Sequence, residues 1–159
     1  MKVLILYFSK TGHTLEAANA TAEGIRVAGS DVDIIEVGDF EAAAIAEYDG
    51  LILASPCWAG SVTPWGVARP VIRALDVLQP ESLKGMRCGG ISVHSKVGGK
   101  TTVKDLGKLL SGKGCEDYRP GPAAKAGVAF SLWKGPSVVA KDEERFKAYG
   151  VEFVGMGNN

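Results

Sequence analysis

The stretch VLILYFSKTGHT, residues 3–14, decides the fold. Its first half, Val3–Phe8, is an uninterrupted apolar run, which is typical of a strand covered on both faces in a parallel sheet. Its second half, Ser9–Thr14, is polar and precedes apolar residues that recur at steps of three and four: Leu15, Ala18, Ala22 and Ile25. The pattern predicts a strand, a polar loop and an amphipathic helix that ends near Ala28 and Gly29.

The same alternation of strand and helix continues along the chain. Further strands are predicted at Val32–Val37, Leu51–Ser55, Arg87–Val93 and near Ala126–Leu132. Helices are predicted at Phe40–Tyr48, from Val67 to Leu78, from a cap at Thr101 and Thr102 to Leu110, and after Asp142 with Phe146, Tyr149 and Phe153 facing inward. This order predicts an α/β fold, a doubly wound parallel sheet of five strands with helices on both faces, in a single domain over residues 1–159.

Composition narrows the possible partners. Of 159 residues, 18 are Lys or Arg and 18 are Asp or Glu, so no overall basic field attracts nucleic acid or an anionic membrane. No window of about 18 apolar residues is present, and the apolar N-terminal run is too short for a signal peptide. Cys57, Cys88 and Cys115 cannot all pair and do not have metal-site spacing, which indicates a reducing compartment. We therefore expect a cytoplasmic protein that binds neither nucleic acid nor membrane.

Three polar loops are candidates for the functional site, because ligands of such sheets bind beyond the carboxyl ends of the strands. Loop one is Ser9–Thr14, loop two is Ser55–Ser61 and loop three is His94–Lys100. The candidate cofactor-binding residues are Ser9, Lys10, Thr11, Gly12, His13, Thr14, Ser55, Pro56, Cys57, Trp58, Ala59, Gly60, His94, Ser95, Lys96, Gly98 and Gly99. No residue is assigned a catalytic or metal-binding role.

Loop one has the chemistry of a phosphate site. Three hydroxyl side chains and Gly12 precede a helix N-terminus, whose free N–H groups and dipole favour an anion. The alternative is a helix cap in which Thr11 or Thr14 serves only the backbone.

The residues Ser9–Thr14 resemble the phosphate loop of the flavodoxin family, Thr/Ser-x-Thr-Gly-x-Thr, and match it at every fixed position. Three further segments resemble the same family, in the same order along the chain. Glu47–Pro56 resembles its third strand, Trp58–Gly60 resembles its second flavin loop, and Gly98–Thr102 resembles the end of its third flavin loop. The resemblance weakens beyond Gly114. It implies the cofactor FMN, with the phosphate in loop one and the ring between loops two and three.

The resemblance also suggests individual roles around the ring. Trp58 is the expected stacking partner of the flavin, the alternative being a core or partly exposed tryptophan. Gly60 allows the backbone to approach the flavin closely. Cys57 is expected to be a small buried hydrophobe rather than a redox relay.

Charge separates this chain from the electron-carrier flavodoxins, which are acidic as a class. Its three loops contain no Asp or Glu, yet they contain Lys10, His13, His94, Lys96 and Lys100. The favoured function is an FMN-dependent electron carrier with a redox partner protein, and the alternative is an NAD(P)H-dependent quinone or FMN reductase. The sequence does not predict the oligomeric state.

Two readings from other classes fail on particular residues. A nucleotide-binding P-loop ending in Gly99-Lys100-Thr101 needs a glycine where His94 stands. A receiver-type signalling domain needs acidic residues after the first strand, where this chain has Ser9, Lys10 and Thr11.

Overall fold

A computed structural model describes residues 1–58, 66–95, 97–126, 138 and 140–155, with only the backbone described at Trp58. Its strands are β1 (Lys2–Tyr7), β2 (Asp31–Glu36), β3 (Gly50–Trp58), β4 (Gly66–Val67), β5 (Arg87–His94) and β6 (Asp117–Lys125). Its α-helices are α1 (His13–Val27), α2 (Arg69–Asp76), α3 (Gly99–Ser111) and α4 (Ala140–Gly155).

Five strands form a parallel sheet in the order β2-β1-β3-β5-β6, and the two-residue β4 pairs antiparallel with the end of β3. From β1 the chain moves outward to β2, then crosses back to β3 and continues to β5 and β6 on the other side. The direction of winding therefore reverses between β1 and β3, which is the position where doubly wound sheets bind ligands. The predicted five-stranded, doubly wound sheet is confirmed.

The sheet has a core on each face because successive residues of a strand point to opposite sides. In β1, Leu4 and Leu6 join one apolar cluster, which includes residues of α2 and α3. Val3 and Ile5 join the other, which includes residues of α1 and α4. All four side chains have no solvent exposure. This explains why the strand reads as a continuous apolar run instead of an alternating one.

Two glycines let α1 and α4 cross at very short range. A Cβ on Gly24 would overlap the carbonyl oxygen of Lys147, and a Cβ on Gly150 would overlap that of Thr21. The inward face of α4 is formed by Phe146, Tyr149 and Phe153, which are at most 6% exposed, as the sequence predicts.

Two predicted elements take another form. The helix predicted at Phe40–Tyr48 is wrong: the structure has 3₁₀ segments at Val37–Asp39 and Ala42–Glu47. A 3₁₀ helix rises about 2.0 Å per residue against about 1.5 Å for an α-helix, so it spans a short connection with fewer residues. The last strand is Asp117–Lys125, whereas it was predicted near Ala126–Leu132. Its two prolines and one glycine weaken the strand signal, and residues 127–132 lie outside the described residues.

The main differences in boundaries lie at the end of β3 and at the starts of α2 and α3. β3 continues past Ser55 to Trp58, because Cys57 and Trp58 pair with Val67 and Gly66. Val67 therefore lies in β4, and α2 begins only at Arg69, with Pro70 in its first turn. Helix α3 begins at Gly99 after Gly98 instead of at a threonine cap.

Within the described residues, no helix is both long enough and apolar enough to cross a membrane.

Candidate functional site

Loop one lies between β1 and α1 and is shaped by Gly12. This glycine has φ 94° and ψ −10°, a left-handed conformation that side chains rarely adopt, and it immediately precedes α1. Its N–H donates a hydrogen bond of 3.0 Å to the Ser9 Oγ, which closes the loop on itself. The first hydrogen bond of α1 runs from the Glu16 N–H to the Gly12 carbonyl, so the helix axis starts at this loop.

The donors of loop one fit a phosphate monoester. The N–H groups of His13, Thr14 and Leu15 belong to the first turn, where an α-helix has no internal acceptors for them. They lie at the positive end of the dipole of a 15-residue helix. Thr14 is only 3% exposed, whereas Ser9 and Thr11 are partly exposed.

His13 does not project into the loop as a surface cation. Its ring is 4% exposed, and its Nδ1 lies 3.3 Å from the Glu16 Oε2. The same carboxylate oxygen accepts a hydrogen bond of 3.1 Å from the Val138 N–H. Glu16 therefore ties the first turn of α1 to the chain just before α4. None of the three loops contains Asp or Glu in its sequence, yet the fold places the Glu16 carboxylate next to loop one.

Loop two starts as an extension of β3, and its first residues pack inward. Ser55 has no solvent exposure; its hydroxyl donates to the Pro56 carbonyl at 2.8 Å and accepts from the Ala68 N–H at 3.0 Å. Ser55 thus joins the end of β3 to the start of α2. The Trp58 side chain, Ala59 and Gly60 lie outside the described residues, so their predicted contacts with the ring stay predictions.

Cys57 is half-buried and carries a free thiol. Burial raises the pKa of this thiol, and a hydrogen bond with the Thr102 side chain in α3 opposes part of the rise. A neutral thiol is a poor nucleophile and a poor redox relay. Cys57 was expected to be a small buried hydrophobe; the structure leaves it half-buried, and its role stays a prediction.

Loop three repeats the geometry of loop one. Gly98 has φ 96° and ψ −7° and precedes α3, just as Gly12 precedes α1. The carbonyl of Gly98 accepts hydrogen bonds from the Thr102 N–H and Oγ1 at 2.9 and 3.0 Å. A Cβ on Gly99 would overlap the His94 ring and lie 2.8 Å from the Ala123 Cβ, so only glycine fits under the ring. Lys96 lies outside the described residues.

The topology brings the three loops to one edge of the sheet. They lie at the carboxyl ends of β1, β3 and β5, which are neighbours in the sheet and run parallel. Tyr7 pairs with Ala54, and Pro56 pairs with Val93, so the strands end at similar heights. Two helix N-termini, those of α1 and α3, start at this edge.

A flavodoxin family model matches residues 5–128, which is most of the chain and includes the three loops. The chain belongs to the flavodoxin family. The solved flavodoxin from Streptococcus pneumoniae TIGR4 is 21% identical, with a TM-score of 0.74 over 98% of this chain and 99% of that one. At this identity the likeness supports the fold.

The family member described here is also similar to curated proteins named NAD(P)H dehydrogenase (quinone). The protein from Rhodopseudomonas palustris strain BisB18 is 34% identical over 116 residues, 64% of this chain and 55% of that protein. The protein from Chromohalobacter salexigens is 36% identical over 83 residues, 38% and 41% of the two chains. This flavodoxin-family chain therefore aligns with about half of the length of these relatives.

Two residues that support the loops, Glu16 and Val138, were not predicted from the sequence, and Thr102 was predicted only as a helix cap. Glu16 and Thr102 sit inside helices, where a polar residue usually faces solvent. Val138 contributes through its backbone N–H, which carries no sequence signal at all. Glu16 could have been found from the sequence, because a carboxylate in the first turn of a helix is a recognised start signal.

Proposed function

We propose that this chain binds FMN non-covalently at the carboxyl edge of the sheet and transfers electrons through it. The observation that carries the proposal is loop one: a hydroxyl-rich turn closed by left-handed Gly12 at the N-terminus of α1. Membership of the flavodoxin family supports a flavin as the bound group. When bound, the flavin supplies the two-electron and one-electron chemistry that no side chain of the loops provides.

In this proposal each loop has a separate task. Loop one holds the ribityl phosphate through backbone N–H groups and the hydroxyls of Ser9 and Thr11. Loops two and three flank the ring, with Trp58 as the stacking side chain and Gly98 and Gly99 allowing close approach of the backbone. Ser55, His13 and Thr102 position these loops from inside the fold.

Selectivity for FMN over riboflavin tests the phosphate site. We expect Thr11→Ala to weaken FMN binding by about 1–2 kcal/mol, because a hydrogen bond to a charged group contributes roughly 1.5–3 kcal/mol. Thr11→Ser keeps the hydroxyl and is expected to bind FMN like the parent protein. Isothermal titration of the apoprotein measures both. Equal affinity of the parent protein for riboflavin and FMN contradicts the phosphate role of loop one.

A second candidate is an NAD(P)H-dependent quinone reductase, which is favoured by the names of the 34–36% identical relatives. It is also favoured by the absence of Asp and Glu from the sequences of the three loops, since the electron-carrier flavodoxins that this chain resembles are acidic as a class. The reaction consumes NAD(P)H, a proton and a quinone and yields NAD(P)⁺ and a hydroquinone. Oxidation of NADH and NADPH, followed at 340 nm with and without a soluble quinone, tests it. If protein loaded with FMN oxidises neither NADH nor NADPH, with or without the quinone, the electron-carrier function remains.

Two broader expectations stand as proposals beside the function. We propose that residues 1–159 form one domain, and that the protein works in the cytoplasm. The three free cysteines agree with a reducing compartment.

A further inference from the structure

A groove of about 790 Å³ runs between α3 and the edge strand β6, and its lining shares one residue, Lys100, with loop three. Its apolar lining includes Val103 of α3 and Tyr118, Pro120 and Ala123 of β6. Tyr118 lies flat against Gly107, where a Cβ would come within 2.6 Å of the ring. Its hydroxyl donates to the Val103 carbonyl, so the ring is held in place as part of the floor.

The rim of the groove on α3 is a row of lysines. Lys100, Lys104 and Lys108 are four residues apart and line the same groove. A rise of about 1.5 Å per residue places their backbones about 6 Å apart along the helix. The Lys108 Nζ lies 3.2 Å from the Asp105 Oδ1, while within the described part of the chain no ion pair involves Lys100 or Lys104. None of the residues that line the groove is Asp or Glu.

The edge of β6 is unsuited to a partner strand. Pro120 and Pro122 have no N–H to donate, and the register with β5 shifts between Gly90 and Ser92. Prolines and bulges are the features by which edge strands avoid pairing with another chain.

The volume of the groove falls within the roughly 300–1,000 Å³ of small-molecule sites. An anionic small molecule with a flat apolar part matches this combination of floor and rim.

We propose that this groove binds the adenosine end of a nicotinamide dinucleotide and favours the 2′-phosphorylated form, NADPH. The purine lies on the apolar floor around Tyr118. The pyrophosphate and the 2′-phosphate, which are on either side of one ribose, face Lys100 and Lys104. Lys100 is the last residue of loop three, so the nicotinamide end is directed toward the predicted flavin site. The inference rests on the reductase as proposed above, and it adds the position and selectivity of the electron donor.

The test uses 2′,5′-ADP, 5′-AMP and inorganic phosphate as probes, titrated calorimetrically into the full chain loaded with FMN. We expect 2′,5′-ADP to bind at least tenfold more tightly than 5′-AMP or inorganic phosphate. Lys104→Glu is expected to weaken 2′,5′-ADP at least tenfold, and Lys104→Gln by less. Lys141→Glu is the matched control: it reverses the charge of an exposed lysine on α4, which packs on the opposite face of the sheet.

Kinetics give a second readout. Lys104→Glu is expected to raise the KM for NADPH at least tenfold more than the KM for NADH, with kcat unchanged. The groove assignment is overturned if 2′,5′-ADP binds the parent protein and Lys104→Glu equally, or if inorganic phosphate binds as tightly as 2′,5′-ADP. If 2′,5′-ADP binds tightly and this binding depends on Lys104, but no NAD(P)H is oxidised, the groove assignment is supported and the reductase function is contradicted.

Discussion

At the scale of single residues, the contact between Cys57 and Thr102 links loop two to α3. Burial raises the pKa of the Cys57 thiol, and the hydrogen bond with Thr102 lowers it in part. We therefore expect Thr102→Val to raise the pKa further and to slow alkylation of Cys57 by iodoacetamide at pH 8, because only the thiolate reacts. Thr102→Ser keeps the hydroxyl as a control. Peptide-resolved mass spectrometry separates Cys57 from the buried Cys88 and Cys115; a faster reaction in Thr102→Val contradicts the assignment.

Asp117 gives a residue-scale prediction about pH. The hydrogen bond from Arg119, followed by that from Arg87, holds the pKa of this carboxyl below its ordinary value of 3.8. A lowered pKa in the folded protein stabilises the fold above the unfolded value, and this stability is lost as pH falls through the folded value. We expect Asp117→Asn to lower the free energy of unfolding at pH 7 by a few tenths to about 1 kcal/mol, since solvent screens this half-exposed pair.

The measurement compares stability at several pH values, because the contribution of Asp117 depends on its charge. Urea unfolding of Asp117→Asn and of the parent protein is compared at pH 7 and in steps below pH 4. The difference between them is expected to shrink over the acid steps, because protonation removes the charge from Asp117 in the parent protein. A difference that stays constant from pH 7 to the most acid step rules out the ion pair as its cause.

At the scale of elements, the crossing of α1 and α4 depends on having no side chain at Gly24 and Gly150. A methyl group on Gly150 would meet the carbonyl of Thr21, and backbone cannot rotate away as a side chain does. We expect Gly150→Ala to lower the free energy of unfolding by about 1–3 kcal/mol, the range of overpacked cores. Gly155→Ala is the control: a Cβ there meets nothing within 4 Å, and alanine favours helix. Denaturant unfolding measures both, and equal effects contradict a close helix crossing.

At the scale of the whole molecule, ligand binding to the folded state is expected to raise the melting temperature. FMN at 100 times its dissociation constant contributes about 2.7 kcal/mol by mass action. For a chain of this length, each kcal/mol corresponds to roughly 2–4 °C, so the expected rise is about 5–11 °C. Riboflavin at the same concentration is expected to give a much smaller rise. Differential scanning fluorimetry measures both, and equal shifts are evidence against a phosphate-dependent site.

Much of the fold could be predicted from local patterns. The apolar run before Ser9, the period of α1 and the inward positions Phe146, Tyr149 and Phe153 each depend on neighbours in the sequence. Prediction failed where the deciding partner was distant. β3 reaches Trp58 because β4 pairs with it, and β6 is a strand despite Pro120 and Pro122 because β5 supplies its partners. Strand pairing between distant segments leaves little mark on either segment alone.

The sequence by itself determined the doubly wound sheet, the flavodoxin family and the order of the three loops, because a strand buried on both faces and a glycine before a helix are local features. Only the tertiary structure decided how the loop residues are used. It turned His13 toward Glu16, buried Ser55 between β3 and Ala68, and placed the His94 ring over Gly99. It also brought β6 beside α3, which set the apolar floor under the lysine row. Of these contacts, Ser55–Ala68 and α3–β6 join separate segments, whereas His13–Glu16 and His94–Gly99 join residues within five positions of each other. Packing in the assembled fold, not local propensity, selects them.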